Sequence, residues 1–251
     1  MIRHTVKWLF LLAIFVNITH LVGFQSGEKL TFDIKYGVIT AGQATLEVKE
    51  IHFQDQYPAY QITSTAKTNS FFDRIFKVRD NIESILDKKL MVSRRFTKRL
   101  NEGRYRQHRI HFYYPDQNFT VYSRYDFNKE KSDEKQMTIP DETQDILSAF
   151  YWLRTQKLAP NQQYYVNVTA DGRNTNTEIL IHPPEILNTI FGKTECLKVE
   201  PKLKGEAIFK QTGDIFIWLT NDENRIPVKL ESKIIFGNFS ANLIKVENAT
   251  D

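Results

Sequence analysis

The chain of 251 residues lacks the features that define several protein classes. It has one cysteine, which excludes a disulfide framework and a zinc site built on cysteine ligands. It has only ten glycines and no three-residue glycine repeat, which excludes collagen. It contains neither a phosphate-binding glycine loop nor a nucleophile elbow, so two common kinds of enzyme have no support.

Aromatic and charged side chains are plentiful by comparison. Aromatics make up 13% of the residues, and 34 basic side chains stand against 30 acidic ones. Charge of both signs together with this aromatic content excludes a disordered chain. The length is also sufficient to bury a large core without covalent cross-links.

The first segment has the composition of a secretory signal peptide. Arg3 and Lys7 precede nine uncharged residues at 8–16, and polar residues and Gly23 follow. Nine residues rise about 14 Å as a helix, which is too short for a bilayer core. We therefore predict a signal peptide at 1–23, cleaved near Gly23, and one domain at 24–251. The alternative is an uncleaved N-terminal anchor that extends through Val22.

Export narrows the possible partners. No cysteine lies near the predicted cleavage position, which excludes a lipoprotein. An exported protein does not meet nucleic acid or cytosolic cofactors, and we predict neither as a partner. Cys196 lies in an alternating run, which favours a small buried residue over a nucleophile.

Most of the remaining chain alternates between apolar and polar residues, which is typical of half-buried strands. The alternating runs are at 30–36, 44–48, 60–66, 76–86, 106–114, 119–127, 164–170, 226–236 and 239–246. Turn residues separate them, and residues 215–219 are apolar on both strand faces. The charged stretch at 128–136 is predicted to be a loop. The fold class is therefore mostly β, a curved antiparallel sheet or half-open barrel of about a dozen strands.

One amphipathic helix interrupts the strands at about residues 141–157. Asp141 and Gln144 have the spacing of a capping box, and Pro160 follows the predicted end. Arg154 lies where a cation suits the C-terminal end of the helix dipole. The apolar face of this helix is predicted to pack on the sheet.

A few polar and aromatic residues are candidates for a ligand site. Alternation directs Asp80 to the apolar side of its strand, and Asp145 begins the apolar part of the helix. A carboxylate on an apolar face needs a partner, for which Arg154 or a backbone donor is a candidate. Trp152 and Trp218 are aromatic candidates for lining a cavity. The other interpretation of the two aspartates is purely structural.

A run of basic residues is the second candidate. Its members are Arg94, Arg95, Lys98, Arg99, Arg104, Arg106 and Arg109, opposed only by Glu102. One interpretation is a solvated face, and the other is a contact surface for anionic lipid head groups or an acidic envelope polymer. His108 and His111 point to opposite sides of a strand, so no metal or cofactor is predicted.

Several segments in sequence order resemble the bacterial exported family called domain of unknown function 3108. They are residues 27–32 leading to 36–44, 70–73 leading to 76–80, 102–105, 145–154, and 218–222 leading to 225–228. The resemblance extends from Gly27 to Val246. It implies a periplasmic location and a curved antiparallel sheet around a helix, loosely like the half-barrel lipoprotein carriers. The family has no assigned activity and therefore implies no catalytic residues.

Three functions are consistent with these observations. The first is a non-catalytic periplasmic binding or carrier protein for a lipid or another amphipathic molecule, with at most peripheral membrane contact. The second is a structural or assembly factor that contacts an envelope protein or a polysaccharide through the basic run. The third and weakest is a hydrolase, because no catalytic constellation accompanies Asp80 and Asp145.

Overall fold

The computed structural model describes residues 23–202, 214–234 and 237–248. The predicted signal peptide lies outside these residues except for Gly23. The helix is α1 (Ile146–Arg154), and single 3-10 turns occur at Phe72–Arg74 and Pro115–Gln117. The strands are β1 (Lys29–Tyr36), β2 (Ile39–Phe53), β3 (Tyr57–Thr68), β4 (Arg79–Asp87), β5 (Ser93–Glu102), β6 (Tyr105–Tyr114), β7 (Phe119–Asp126), β8 (Lys131–Thr138), β9 (Gln163–Ala170), β10 (Arg173–Ile181), β11 (Glu185–Thr189), β12 (Gly192–Pro201), β13 (Ile215–Thr220), β14 (Pro227–Ile234) and β15 (Gly237–Glu247).

All fifteen strands belong to one sheet, and every strand pair is antiparallel. The order is β8-β7-β6-β5-β4-β3-β2-β1-β15-β14-β13-β12-β10-β9, with β11 paired to β12 outside this path. Almost all neighbours in the sheet are also neighbours in the chain. There are two exceptions: β10 pairs with β12 instead of β11, and β1 pairs with β15 and so joins the two halves of the chain. The predicted mostly-β fold is confirmed, with fifteen strands instead of about a dozen.

The predicted charged loop at 128–136 is wrong, because most of it forms the edge strand β8. Every residue of β8 pairs in register with β7, from Asp126 opposite Lys131 to Phe119 opposite Thr138. Its side chains are mostly exposed on both faces, so the strand has no apolar alternation that a sequence pattern could reveal. Charged side chains are also what an unpaired sheet edge needs to discourage pairing with other chains.

The helix begins later and ends earlier than the predicted 141–157. Asp145 is the N-cap, and its side chain accepts from the backbone N–H of Ser148, whose hydroxyl in turn accepts from the Asp145 N–H. Before the cap, Glu142 has a φ of 53° and Gln144 forms a parallel bridge with Val168 of β9. These residues therefore belong to a connection along the sheet, and the true capping box lies four residues after the predicted one.

The helix packs on the sheet through both of its sides. Ala149 and Leu153 belong to a cluster with buried residues of β9, β10 and β12. Tyr151 belongs to a second cluster with Phe24, Tyr60 and residues of β2 to β4. A third apolar cluster around Leu30, Phe32 and Trp218 contains no helix residue. The helix thus fills only one part of the curved face.

The two ends of the sheet differ. Asp145 is held by Ser84 and Ser93, which places the start of the helix near the β4–β5 turn. The opposite end is formed by the connections β1–β2, β3–β4, β5–β6 and β7–β8 at 37–38, 69–78, 103–104 and 127–130. We call this end the rim.

Candidate functional site

Asp145, a predicted ligand residue, is completely buried at the start of the helix. Its carboxylate accepts hydrogen bonds from the hydroxyls of Ser84 and Ser93, both at 2.6 Å. It also accepts from the backbone N–H groups of Leu147 and Ser148 at 2.8 and 2.9 Å. Burial raises the pKa of Asp145, and these hydrogen bonds oppose the shift. Its oxygens all face protein donors, so Asp145 fastens the helix to β4 and β5.

For Asp80 the predicted backbone donor is confirmed, and the alternative partner, Arg154, is wrong. The Arg154 guanidinium is fully buried and binds both carboxylate oxygens of Glu28, at 2.7 and 2.8 Å, and the carbonyl oxygen of Asn224 at 3.2 Å. Asp80 instead accepts from the backbone N–H of Asn101 at 2.8 Å, and partial burial raises its pKa. Arg154 and Asp80 therefore form their contacts in different parts of the structure.

The two candidate tryptophans lie in different apolar clusters. Trp152 is partly buried against the helix cluster, whereas Trp218 belongs to the cluster that has no helix residue. The Trp218 ring N–H donates to Glu185 at 3.0 Å. The ammonium groups of Lys198 and Lys229 lie 5.4 and 4.7 Å from the ring centroid. The five predicted ligand residues thus do not converge on one site.

The basic run is divided between the two faces of β5 and β6. Arg94 is buried and pairs with Asp87 at 2.8 Å. Arg95, on the opposite face from Lys98, pairs with Glu83 at 2.6 Å. The exposed members are Arg99, Arg104 and Arg106. The seven residues therefore do not form one continuous surface.

Lys98 and Arg109 lie on the same face as the helix and share one carboxylate. Asp171, at the tip of the β9–β10 hairpin, is 2.5 Å from the Lys98 ammonium and 2.9 Å from Arg109. The hairpin tip thus reaches across to β5 and β6 and is fixed there by charge. Because two cations meet one carboxylate, this group keeps a net positive charge.

His111 lies beside this group and is neutral. Its Nε2 accepts from the Gly172 N–H at 3.1 Å, and its Nδ1 is 3.2 Å from the Thr120 hydroxyl, which itself donates to a carbonyl oxygen. These contacts fix the proton on Nδ1. Burial lowers the pKa of His111 to about 4, although the nearby Asp171 opposes this. His108 lies on the other face of β6, as predicted.

The strand register places these cations in a row that continues from apolar residues. Each member is directly opposite the next on adjacent strands, and all face the helix side of the sheet. In order from β2 to β7, the row is Leu46, Ser64, Ile82, Lys98, Arg109 and Arg124. The first three residues are only partly buried. The sheet therefore changes from apolar to cationic along one line, which we call the cross-strand row.

The cationic end of the cross-strand row opens into a groove of about 420 Å³ near the rim. Its lining residues are Arg104, Tyr105, Arg106, Gln107, Arg109, Arg124, Tyr125, Asp126, Phe127 and Asn128. Asp126 is the one carboxylate among them, and two backbone N–H groups of the next turn bind it, which lowers its pKa. Four arginines beside three aromatic rings suit an anionic group.

The arginines of the groove differ in whether a carboxylate neutralises their charge. Arg109 forms a salt bridge with Asp171, and Arg124 lies 3.6 Å from Asp133. Arg106 donates to the carbonyl oxygens of Gly103 and Tyr105. Within the described part of the chain, neither Arg104 nor Arg106 forms a salt bridge, so the groove carries excess positive charge.

The sequence did not identify Arg124, Asp171 or Glu28 as site residues. Arg124 stands alone in its strand, and only the antiparallel register brings it opposite Arg109. Asp171 and Glu28 are separated from their partners by 73 and 126 positions. The turn at Asp171-Gly172 was a visible signal for a hairpin but not for what the hairpin contacts.

Within residues 23–202, 214–234 and 237–248, no group of three or more histidine, cysteine, aspartate or glutamate side chains could hold a metal ion. None of the helices there has the length and apolar character needed to cross a bilayer.

The curved sheet around one helix defines a β-barrel-like protein. A crystal structure of such a protein from Brucella abortus, with a domain of unknown function DUF1849, has a TM-score of 0.62 and 12% identity, covering 90% of this chain and 99% of that chain. A Bacteroides fragilis protein described as exported, with a YmcC-like fold, has a TM-score of 0.36 and 11% identity, covering 89% and 96%. No protein of curated function matches the sequence.

The family itself is defined by sequence. The model of a protein family of unknown function, DUF3108, matches residues 31–244. The chain belongs to this family, as its sequence motifs indicated. The family has no assigned activity.

Proposed function

We propose that the protein is an exported, non-catalytic binding protein of the cell envelope. Its ligand is an amphipathic molecule with an anionic head group. The observation that carries this proposal is the cross-strand row, in which Leu46 and Ile82 continue directly into Lys98, Arg109 and Arg124 on the same face. A ligand lying across the strands would place its apolar part on β2 to β4 and its head group in the groove on β6 and β7, past Lys98, which is buried beneath Asp171 of the hairpin tip.

The groove supports the anionic character of the ligand. Arginine forms bidentate, charge-assisted hydrogen bonds with phosphate and carboxylate groups. Arg104 and Arg106 are exposed and lack carboxylate partners among the described residues, so they are available to a head group. The rings of Tyr105, Tyr125 and Phe127 add apolar surface beside the arginines.

The non-catalytic part of the proposal is supported by the surroundings of the candidate carboxylates. Catalysis by general acid or base requires a group that reaches the substrate. Asp145 is completely buried and bound by four donors, and Asp80 accepts from a backbone N–H. Export is supported by the signal-peptide composition of the first 23 residues.

Binding of short-chain phosphatidylglycerol, measured by isothermal titration calorimetry, tests the ligand class. Arg109→Gln and Arg124→Gln should each weaken binding about ten- to a hundredfold, because each removes charge-assisted hydrogen bonds worth roughly 1.5–3 kcal/mol. Ile82→Asn should weaken binding of the lipid but not of glycerol phosphate, which lacks the apolar part. Arg99→Gln, exposed on the other face of β5, is the matched control.

An acidic oligosaccharide is the competing ligand, because aromatic rings beside arginines also suit sugars. Binding of polygalacturonate at the groove without any binding of the lipid would favour the assembly or polysaccharide-contact function instead. Equal lipid affinity in Arg109→Gln, Arg124→Gln and the control would refute the proposed site.

A further inference from the structure

Large apolar side chains are exposed together at the rim. Val38 in the β1–β2 turn is 94% exposed, and Phe71 and Ile75 in the β3–β4 connection are 64% and 68% exposed. Ile39 and Phe76 are also more than half exposed, at 55% and 52%. Single exposed apolar residues are ordinary, but a group on adjacent connections marks an interaction surface.

The β3–β4 connection directs these side chains outward through an internal polar network. The side-chain oxygen of Asn69 accepts from two backbone N–H groups of the connection, including that of Phe71, at 3.1 and 3.0 Å. The Thr68 hydroxyl donates to Asp73 at 2.6 Å, and Arg79 donates to the same carboxylate at 2.9 and 2.5 Å. The polar groups thus face one another, and the apolar side chains are left on the outside.

Hydrogen bonds also join the rim connections to one another. The Asn69 N–H donates to the carbonyl oxygen of Ala41 at 2.9 Å, and the Gly103 N–H donates to that of Lys77 at 2.8 Å. The Phe76 ring packs so closely on Gly103 that a Cβ there would lie 2.8 Å from a ring carbon. The exposed apolar residues therefore sit on one ordered surface.

The charge around this surface is positive. Lys67, Arg74, Lys77 and Arg104 are exposed, and none of them forms a salt bridge within the part of the chain that the structure describes. The acidic side chain of the connection, Asp73, is already paired with its own arginine. Exposed apolar residues ringed by unpaired cations are the combination that binds anionic lipid surfaces.

We propose that the rim docks on the surface of a bilayer that contains anionic lipids. Val38, Phe71 and Ile75 insert into the interfacial region, while Arg74 and Lys77 bind the head groups. This is independent of what the groove binds, although the groove opens at the same end and docking would turn it toward the bilayer.

Flotation of the purified protein with vesicles tests the docking. Vesicles of phosphatidylethanolamine and phosphatidylglycerol in equal parts should bind it, and vesicles of phosphatidylcholine should bind it much less. The double variant Phe71→Ser/Ile75→Ser should reduce the partition coefficient about tenfold or more, because two exposed apolar side chains no longer insert. Arg74→Glu/Lys77→Glu should reduce binding to the anionic vesicles only and remove its salt dependence.

The control is Leu90→Ser/Ile190→Ser, which changes two exposed apolar residues, 47% and 45% exposed, in other connections. Its vesicle binding should equal that of the unchanged protein. Equal binding by the Phe71→Ser/Ile75→Ser variant would overturn the proposal. The proposal would also be overturned if the unchanged protein bound no vesicles but self-associated, and the Phe71→Ser/Ile75→Ser variant did not self-associate. The rim would then be a protein–protein contact. Arg124→Gln separates the two proposals, since it should impair the groove and leave vesicle docking unchanged.

Discussion

The buried ion pair between Arg154 and Glu28 gives a sharp test of how the helix is fixed to the sheet. Glu28→Gln removes the negative charge from a guanidinium that is fully buried and that holds both carboxylate oxygens at 2.7 and 2.8 Å. The carbonyl oxygen of Asn224 remains as a partner but carries no full charge. Leaving one member of a buried pair uncompensated costs about 3–5 kcal/mol of the free energy of unfolding.

Removing both charges should have a much smaller effect. The guanidinium carbon of Arg154 lies 5.9 and 5.1 Å from the ring centroids of Phe24 and Tyr151, so its surroundings are largely apolar. The double variant Glu28→Met/Arg154→Met replaces the pair with side chains of similar volume. It should regain most of the stability lost in the single variant, because such replacements are often neutral or stabilising by about 1–4 kcal/mol.

The free energy of unfolding is measured by urea titration followed by circular dichroism. For a domain of this size the loss in Glu28→Gln corresponds to a melting temperature lower by roughly 10 °C. The exposed pair Lys88–Glu50 serves as the control, and Glu50→Gln should cost about 1 kcal/mol or less. A loss in Glu28→Gln as small as in this control, or a double variant as unstable as the single one, would refute the reasoning.

Two further predictions concern buried titratable groups. Because burial lowers the pKa of His111 to about 4, below the ordinary value of about 6.5, the stability contributed by the neutral ring is intact above pH 6.5 and is lost as the pH falls toward 4. Urea titrations at pH 7 and pH 4.5 should therefore differ less for His111→Gln than for the unchanged protein, and equal pH dependence would contradict this. Burial also raises the pKa of Cys196 to about 11, so a thiol reagent at pH 8 should label it only after denaturant is added. Rapid labelling of the folded protein would show that the thiol is accessible.

The alternation of apolar and polar residues predicted the fold class because most strands bury only one face. The same method missed β8, where both faces are solvated and pairing with β7 depends on the backbone alone. The sequence predicted the start of the helix only approximately, because two residue pairs have the spacing of a capping box. These pairs are Asp141 with Gln144 and Asp145 with Ser148. The choice between them depended on Gln144 pairing with β9, which is a tertiary contact.

The candidate site was less accessible from sequence than the fold. The basic run was predicted from its composition alone, which could not show that Lys98 lies opposite Arg109 or that Arg94 pairs with Asp87 where the register shifts at the start of β5. The position of Arg154 near the C-terminal end of the helix is explained locally by the helix dipole. Nothing in that explanation indicated that its partner is Glu28, 126 residues away. Sites assembled from distant strands depend on register, which a single sequence specifies only through its turns.

The pairing of β1 with β15 has a consequence for the order in which the molecule can be completed. A chain synthesised N-terminus first can build β1 to β8 hairpin by hairpin as it appears, since these strands pair with their chain neighbours. One edge of β1 nevertheless stays vacant until the eleven residues of the last strand arrive. Until then the nascent protein exposes an unpaired strand edge, and this is the interval in which a chaperone is most needed. A C-terminal truncation that removes the last strand would leave this edge exposed permanently.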